Sequence, residues 1–316
     1  MKNLLFGILF LAGNAFAQYP NRPISIVVGF APGGGTDTVA RVVQKTLGDR
    51  LGQQVVVDNK AGAGGNIATD FVAKSAPDGH TLLLGNVGSL TVAPHLVKDL
   101  PYDPLRDLAP VSMGVIFPNL VVVHASVPAN TLAQFIQLAK EKPGVYTYGS
   151  SGIGGAGHLA GELLKMMARI DLVHVPFKGG GPAMQAMLGG QIHAYMATPV
   201  AAGPHVKAGK AKALATTGAQ RDPLLPEVPT VAESGYPGYE AINWYAFVVA
   251  GKTPRTIVER LNRDIVATLR DPFVAGLLRK QGVEPSPGTP EELARYMERE
   301  HQTWGRVVRE AKIQVQ

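Results

Sequence analysis

Four glycine-rich loops, each set between an apolar run and a helical pattern, constrain this chain more than any other feature. They are "APGGGTD" (31–37), "NKAGAGGN" (59–66), "GSSGIGGAGH" (149–158) and "KGGGPA" (178–183). The runs before them, "PISIVVGF", "QQVVVDNK", "VYTYGSS" and "LVHVPF", read as strands. The residues after them take helical spacing, as Val39, Val42, Val43 and Leu47 do. Short continuous apolar strands between helices predict an α/β fold whose parallel sheet is covered on both faces.

The alternation continues along the chain. "HTLLLGN", "NLVVVHAS", "QIHAYMAT", "KALATTG" and the long "EAINWYAFVVA" read as further strands, and "TLAQFIQLAKEK" and "GPAMQAMLGG" as helices. Residues 221–239, with Pro223, Pro226, Pro229 and Pro237, read as loop. From Pro254 the tail is helical in three pieces, the last opened by Thr289 as N-cap, Pro290 at N1 and Glu292 at N3. The pattern divides into two α/β halves: residues 18–118 plus 244–316, and residues 119–243. Chain crossings near Phe117-Pro118 and Asn243-Trp244 would join them around a cleft. Ligands of open α/β sheets bind beyond the carboxyl ends of the strands, where the glycine loops fall.

At such loops the first N–H groups of the helix lack partners and the helix dipole is positive. Glycine lets a ligand touch this backbone, which makes an anion site of main chain. Glycines that only form tight turns are the alternative. No G-x-x-x-x-G-K-[ST] phosphate loop is present. Gly152, Gly154 and Gly157 spell G-x-G-x-x-G, but Asp171 precedes the next strand instead of ending it, against a dinucleotide site. G-x-S-x-G is absent. Ser151, His158 and Asp171 can be written as a triad, but a ligand-binding hydroxyl and a helix-face histidine describe them better. The eight histidines form no H-E-x-x-H or close pair, so neither a metal site nor a cofactor is expected. A carboxylate is therefore the expected anion. Asp37 can cap its own helix or contact the ligand. Trp244 and Tyr245 read as core or hinge residues sooner than as ligand platforms. Gly34 is a candidate for positive φ.

Lys2, the apolar "LLFGILFLAG" and the "AFA" ending at Ala17 read as a secretory signal peptide that makes Gln18 the mature N-terminus. There is no cysteine, so neither disulfides nor thiolate metal sites arise. The formal charge of +6 is spread along the chain without basic runs or interleaved aromatics, which argues against a nucleic-acid partner.

The stretches "YPNRPISIVVGFAPGGGTDTVAR", "LGQQVVVDNKAGAGGNIATDFVAKSAPDGHTLLLG", "LPYDPLRDLAPVS", "HLAGELLKMMARIDLVHVPFKGGGPAMQAMLGGQI", "PEVPTVAESGYPGYEAINW" and "TPEELARYMERE" together resemble the Bug/TctC family of extracytoplasmic solute receptors. The resemblance implies a type II periplasmic-binding-protein fold, two α/β lobes that close over a ligand carboxylate. It implies a periplasmic monomer that passes a small organic carboxylate to membrane transporter subunits. A receptor presenting its ligand to a signalling protein is the alternative, and a hydrolase a more distant one. Carried over by position, the first-lobe contacts are Phe30, Ala31, Pro32, Gly33, Gly34, Gly35, Thr36 and Asp37, with Asn86 and Gly88. Those of the second lobe are Ser150, Ser151, Gly152, Gly154, Gly155, Lys178, Gly179 and Thr198. One departure stands out. Many members carry an acid where this chain has Ala197, so an amino-acid ligand, whose ammonium needs an acceptor, is not expected.

Overall fold

The run Ile24–Val28 (β1) is almost wholly buried, as a strand covered on both faces must be. It belongs to a computed structural model that describes residues 19–310 and 313. The signal-peptide reading of residues 1–17, and Gln18, lie outside the described residues. Helix α1 (Gly35–Leu51) buries Val39, Ala40, Val43 and Leu47 and stops at Gly52, whose φ of 70° forms a left-handed C-cap. Strands β2 (Val55–Asn59) and β3 (Thr81–Asn86) pair with β1 in parallel, with α2 (Asn66–Ala73) between them. A π-helical turn, Gly88–Val92, leads into α3 (Ala93–Leu96). Strand β4 (Leu108–Pro118) then carries the chain out of the lobe.

The second lobe runs β5 (Leu120–His124), α4 (Leu132–Glu141), β6 (Thr147–Ser150), α5 (Ala156–Ala168), β7 (Val173–Pro176) and α6 (Gly180–Leu188). It ends with β8 (Ala194–Ala197), α7 (Pro199–Lys207) and β9 (Ala211–Thr216). Strand β10 (Ile242–Ala250) returns to the first sheet, followed by α8 (Arg255–Leu269), α9 (Pro272–Lys280), β11 (Glu284–Pro285) and α10 (Pro290–Glu310). The Thr289 capping box forms: Thr289 N–H donates to Glu292 Oε2 at 2.8 Å, and Glu292 N–H to Thr289 Oγ1 at 3.1 Å.

The sheets are ordered β11-β4-β10-β3-β1-β2 and β7-β6-β8-β5-β9. They are mixed, not parallel as the apolar strands suggested. Strand β10 is antiparallel to β3 and β4, and β5 is antiparallel to β8 and β9. The cause is the pair of crossings. Strands β1 and β3 run towards the cleft, whereas β10 and β5 start at it and run away. Where the chain changes lobes, Thr217 N–H donates to Asn119 O and Ala241 N–H to Thr217 O, both at 2.9 Å. Thr217 Oγ1 closes this web by donating to Ala241 O at 2.7 Å and accepting from Asn119 N–H at 2.8 Å. Among the described residues no helix is long and apolar enough to cross a membrane.

Candidate functional site

The carboxyl ends of the strands from both sheets face one another around a small cavity. From the first lobe it is lined by Phe30, Gly35, Thr36 and Asn86, and from the second by Ser151, Ala156, Gly180 and Thr198. Asn243 and Tyr245 of β10 complete the wall. The room left is about 10 Å³, on the order of one water.

Three helix starts converge there. Helices α1, α5 and α6 take Gly34, Gly155 and Gly179 as N-caps, none with a side-chain cap hydrogen bond. Their first N–H groups therefore have no capping side chain, and three positive dipole ends meet. Hydroxyls of Thr36, Ser151, Thr198 and Tyr245 surround them, and no charged side chain lines the cavity. Thr198 also caps α7, its Oγ1 accepting from Ala201 N–H at 3.3 Å, which leaves the hydroxyl proton to donate elsewhere.

The glycines also let the lobes touch backbone to backbone. Ala31 N–H donates to Lys178 O at 3.0 Å across the cleft. A Cβ on Gly152 would stand 2.9 Å from Gly64 Cα, and one on Gly179 3.1 Å from Ala31 N. A Cβ on Gly64 would collide with the carbonyl oxygen of Ile153, and one on Gly88 would lie 2.8 Å from Gly154 O. The first loop thus meets the fourth, and the second meets the third.

Of the residues expected at the site, Phe30, Gly35, Thr36, Asn86, Ser151 and Thr198 line the cavity. Gly34, Gly155 and Gly179 stand one residue outside it as helix caps. Ala31, Gly88, Gly152 and Gly154 belong to the lobe contact, and Pro32 and Gly33 form its exposed lip. The Lys178 side chain is exposed and only its carbonyl enters the contact. Gly34 does not have the positive φ expected of it. Its φ is −85° and ψ 175°, extended backbone, while neighbouring Gly33 has a φ of 81°. Ala197 packs in the apolar cluster with Leu120 and Ala201 behind the cleft, so its side chain is not part of the cavity wall.

Asp37, at N3 of α1, is buried and turned into its own lobe. Its Oδ2 accepts from Gly33 N–H at 2.9 Å and from Arg41 Nε at 3.0 Å, and its Oδ1 from Asn59 Nδ2 at 3.0 Å. Burial alone would raise this carboxyl. The hydrogen bonds from Arg41, Gly33 and Asn59 and the Arg41 charge outweigh burial and hold it below the ordinary carboxylate range. Asp37 braces the first loop from behind.

Ser150 is wholly buried behind the third loop, its Oγ 2.7 Å from His174 Nε2 and 3.0 Å from Gly152 O. His174 stacks on His158 at 4.2 Å. Burial, reinforced by His158, pushes His174 down to about 3, so it is neutral. His158 Nδ1 accepts from Gly154 N–H at 3.1 Å. These groups shape the loop, and the triad of Ser151, His158 and Asp171 does not assemble.

The sequence assigns no site role to Ala156, places Asn243 only at a chain crossing, gives Gly180 only within the Lys178–Gly180 stretch that the family resemblance implies, and reads Tyr245 as core or hinge. Tyr245 is buried at 4% exposure, with its hydroxyl 2.6 Å from where a Cβ on Gly35 would sit and no hydrogen-bond partner among the described residues. Burial, with Tyr195 adding to it, pushes this hydroxyl far above its ordinary range, which makes it a donor. Trp244 does read as core: it is fully buried, and its Nε1 donates to Glu300 at 3.2 Å. The signal for Asn243 and Tyr245 was the period of two along β10, which puts both on one face.

Comparison with known proteins agrees with the two-lobed α/β fold. The sequence pattern of the tripartite tricarboxylate transporter family receptor matches residues 39–313. Protein BugT of Bordetella pertussis is 40% identical over 293 residues, 92% of this chain and 90% of BugT. The structure of Rpa4515 from R. palustris with adipate is 36% identical with a TM-score of 0.91, covering 94% of this chain and 99% of that one. MatC from Rhodopseudomonas palustris with bound malate is 34% identical with a TM-score of 0.88, covering 92% and 100%.

Proposed function

The chain belongs to the tripartite tricarboxylate transporter family receptors, binding proteins and not enzymes, and from that premise we propose that it captures a small dicarboxylate between its lobes. One observation carries the reading: three uncapped helix starts and four hydroxyls converge on a cavity without a charged wall. Backbone N–H groups and helix dipoles neutralise a carboxylate without a buried cation. The adipate and malate held by its relatives support a ligand with two carboxylates. A molecule of that size needs more room than the present cavity of about 10 Å³. Binding therefore begins with lobes apart and proceeds by hinge closure about residues 119, 217 and 241–243.

The wider setting follows the family. The chain is exported, cleaved after Ala17, works as a monomer in the periplasm, and hands its ligand to membrane transporter subunits. A thermal-stability screen of the purified protein against dicarboxylates tests the central claim. A ligand at 100 times its dissociation constant adds about 2.7 kcal/mol. A shift with adipate, succinate or malate supports the reading. A flat response to every dicarboxylate, with clear stabilisation by a sugar or an amine, overturns it.

A further inference from the structure

A second cavity lies on the other side of the hinge. It measures about 480 Å³ and, unlike the cleft, is walled mostly by apolar side chains, a size ordinary for a small-molecule site. Both crossings line it, through Phe117 and Pro118 on one and Ile242 on the other. Its walls come from both lobes, Val283 from the first and Leu224 from the second. Strand alternation separates the two cavities: β10 turns Ile242 to the rear and Asn243 and Tyr245 to the cleft.

We propose that this rear cavity is a second binding site, for a small molecule with an apolar body and one positive charge, and that filling it favours closed lobes. The charge follows from how the ionic groups around it are used. Arg279 is taken up by Glu284 at 2.8 Å, and Arg221 by Glu233 at 2.9 Å. Asp222 and Glu240 have no cationic partner among the described residues. Asp222 is buried, its Oδ1 accepting only the Leu224 N–H at 2.8 Å, while Oδ2 lies 3.6 Å from where a Cβ on Gly282 of the first lobe would sit. A cation seated on Val283 and Leu224 meets the buried Asp222 carboxylate, with the exposed Glu240 carboxylate adding to the negative field of the same cavity. The coupling follows from position. With the pivot between the two cavities, a rotation that parts the glycine loops in front brings the rear walls together. A molecule wedged behind the hinge resists that rotation.

The test uses 2-phenylethylammonium, with neutral 2-phenylethanol of the same shape beside it, titrated into the purified protein by NMR. Because the chain has no cysteine, Ile67→Cys with Val173→Cys places one spin label on each lobe, at positions 53% and 45% exposed. The expected result is saturable binding of the cation at least about fivefold tighter than the alcohol. The preference disappears in Asp222→Asn with Glu240→Gln. Binding is lost in Leu224→Trp, which fills the cavity from an exposed position that folding tolerates. The inter-lobe distance distribution shifts to its short component when the cation is added. Equal binding of cation and alcohol, binding that survives Leu224→Trp, or a distance distribution indifferent to the cation overturns the proposal.

Discussion

The side-chain amides of Asn119 and Asn243 meet where the two chain crossings run side by side, Asn243 Nδ2 donating to Asn119 Oδ1 at 3.4 Å. The bond is long, and it leaves Asn119 Nδ2 and Asn243 Oδ1 buried without partners. Two groups that satisfy each other poorly tie the pivot loosely, which suits a hinge. Asn243→Leu strands the Asn119 amide, and the expected cost is about 1–3 kcal/mol. Adding Asn119→Leu removes the stranded group and recovers most of that loss. Urea denaturation of both single variants and the double checks this. Strictly additive losses would show that the two amides do not interact.

Asp37 sets the acid limit of the first loop. Its folded carboxyl titrates below the value near 3.9 that it has in an unfolded chain. The contribution to stability is therefore complete above about pH 4 and is lost as pH falls through the folded value. Asp37→Asn keeps the size and removes the charge. It is expected to lower stability at neutral pH by about 1–3 kcal/mol, and its deficit against the parent should shrink steadily below about pH 4. Unfolding curves across pH 2–7 decide it, and a deficit that stays constant would place the effect elsewhere.

Gly33 and Gly34 separate backbone freedom from close approach of the lobes. The backbone of Gly34 is extended, so valine is tolerated locally, but a Cβ there stands 3.3 Å from Gly180 N in the other lobe. Gly34→Val should fold with a nearly unchanged melting temperature and bind adipate at least about tenfold more weakly, because the lobes cannot close. Gly33→Ala is the converse. It has open space but a φ of 81°, so it should cost about 1–2 kcal/mol of stability with a smaller effect on binding. Calorimetric titration and thermal unfolding of both variants give the comparison. Unchanged affinity in Gly34→Val would remove this contact from the closed state.

What could be read in the sequence was whatever a local pattern encodes. The buried run of β1, the spacing of Val39, Val43 and Leu47, and the Thr289–Glu292 capping box each announce an element within a few residues. What could not be read depends on partners far along the chain. Strand β4, "LAPVSMGVIFP", carries prolines and a glycine, yet forms because β10 and β11 pair with it. Helix α7, "PVAAGPHVK", has an internal proline and rests on its Thr198 cap and on burial of Val200 and Ala202. At the site, the loops were visible because glycine is a local signal. That Asn243 and Tyr245 face the cavity became visible only once β10 was seen to start at the hinge.

The lining of the cleft sets its choice of ligand. Ala197 lies in the core, so what disfavours amino acids is the cavity itself, whose wall holds no aspartate or glutamate. An ammonium that leaves water there has only neutral acceptors, and burying an unpaired charge is costly. Asn86 Oδ1 already accepts from Ser89 Oγ at 3.0 Å. Asn243 Oδ1 has no partner, and a hydroxyl suits it as well as an amine does, without a charge to desolvate. Succinate and malate are therefore expected to bind at least about tenfold more tightly than aspartate, a gap of about 1.4 kcal/mol. Asn243→Asp supplies a charged acceptor in the same place. It should weaken succinate through repulsion between carboxylates while narrowing the gap to aspartate. Calorimetric titration of the three acids into both proteins decides the matter. If aspartate equals succinate in the unaltered protein, some other acceptor reaches the ligand and the neutral wall is not what selects it.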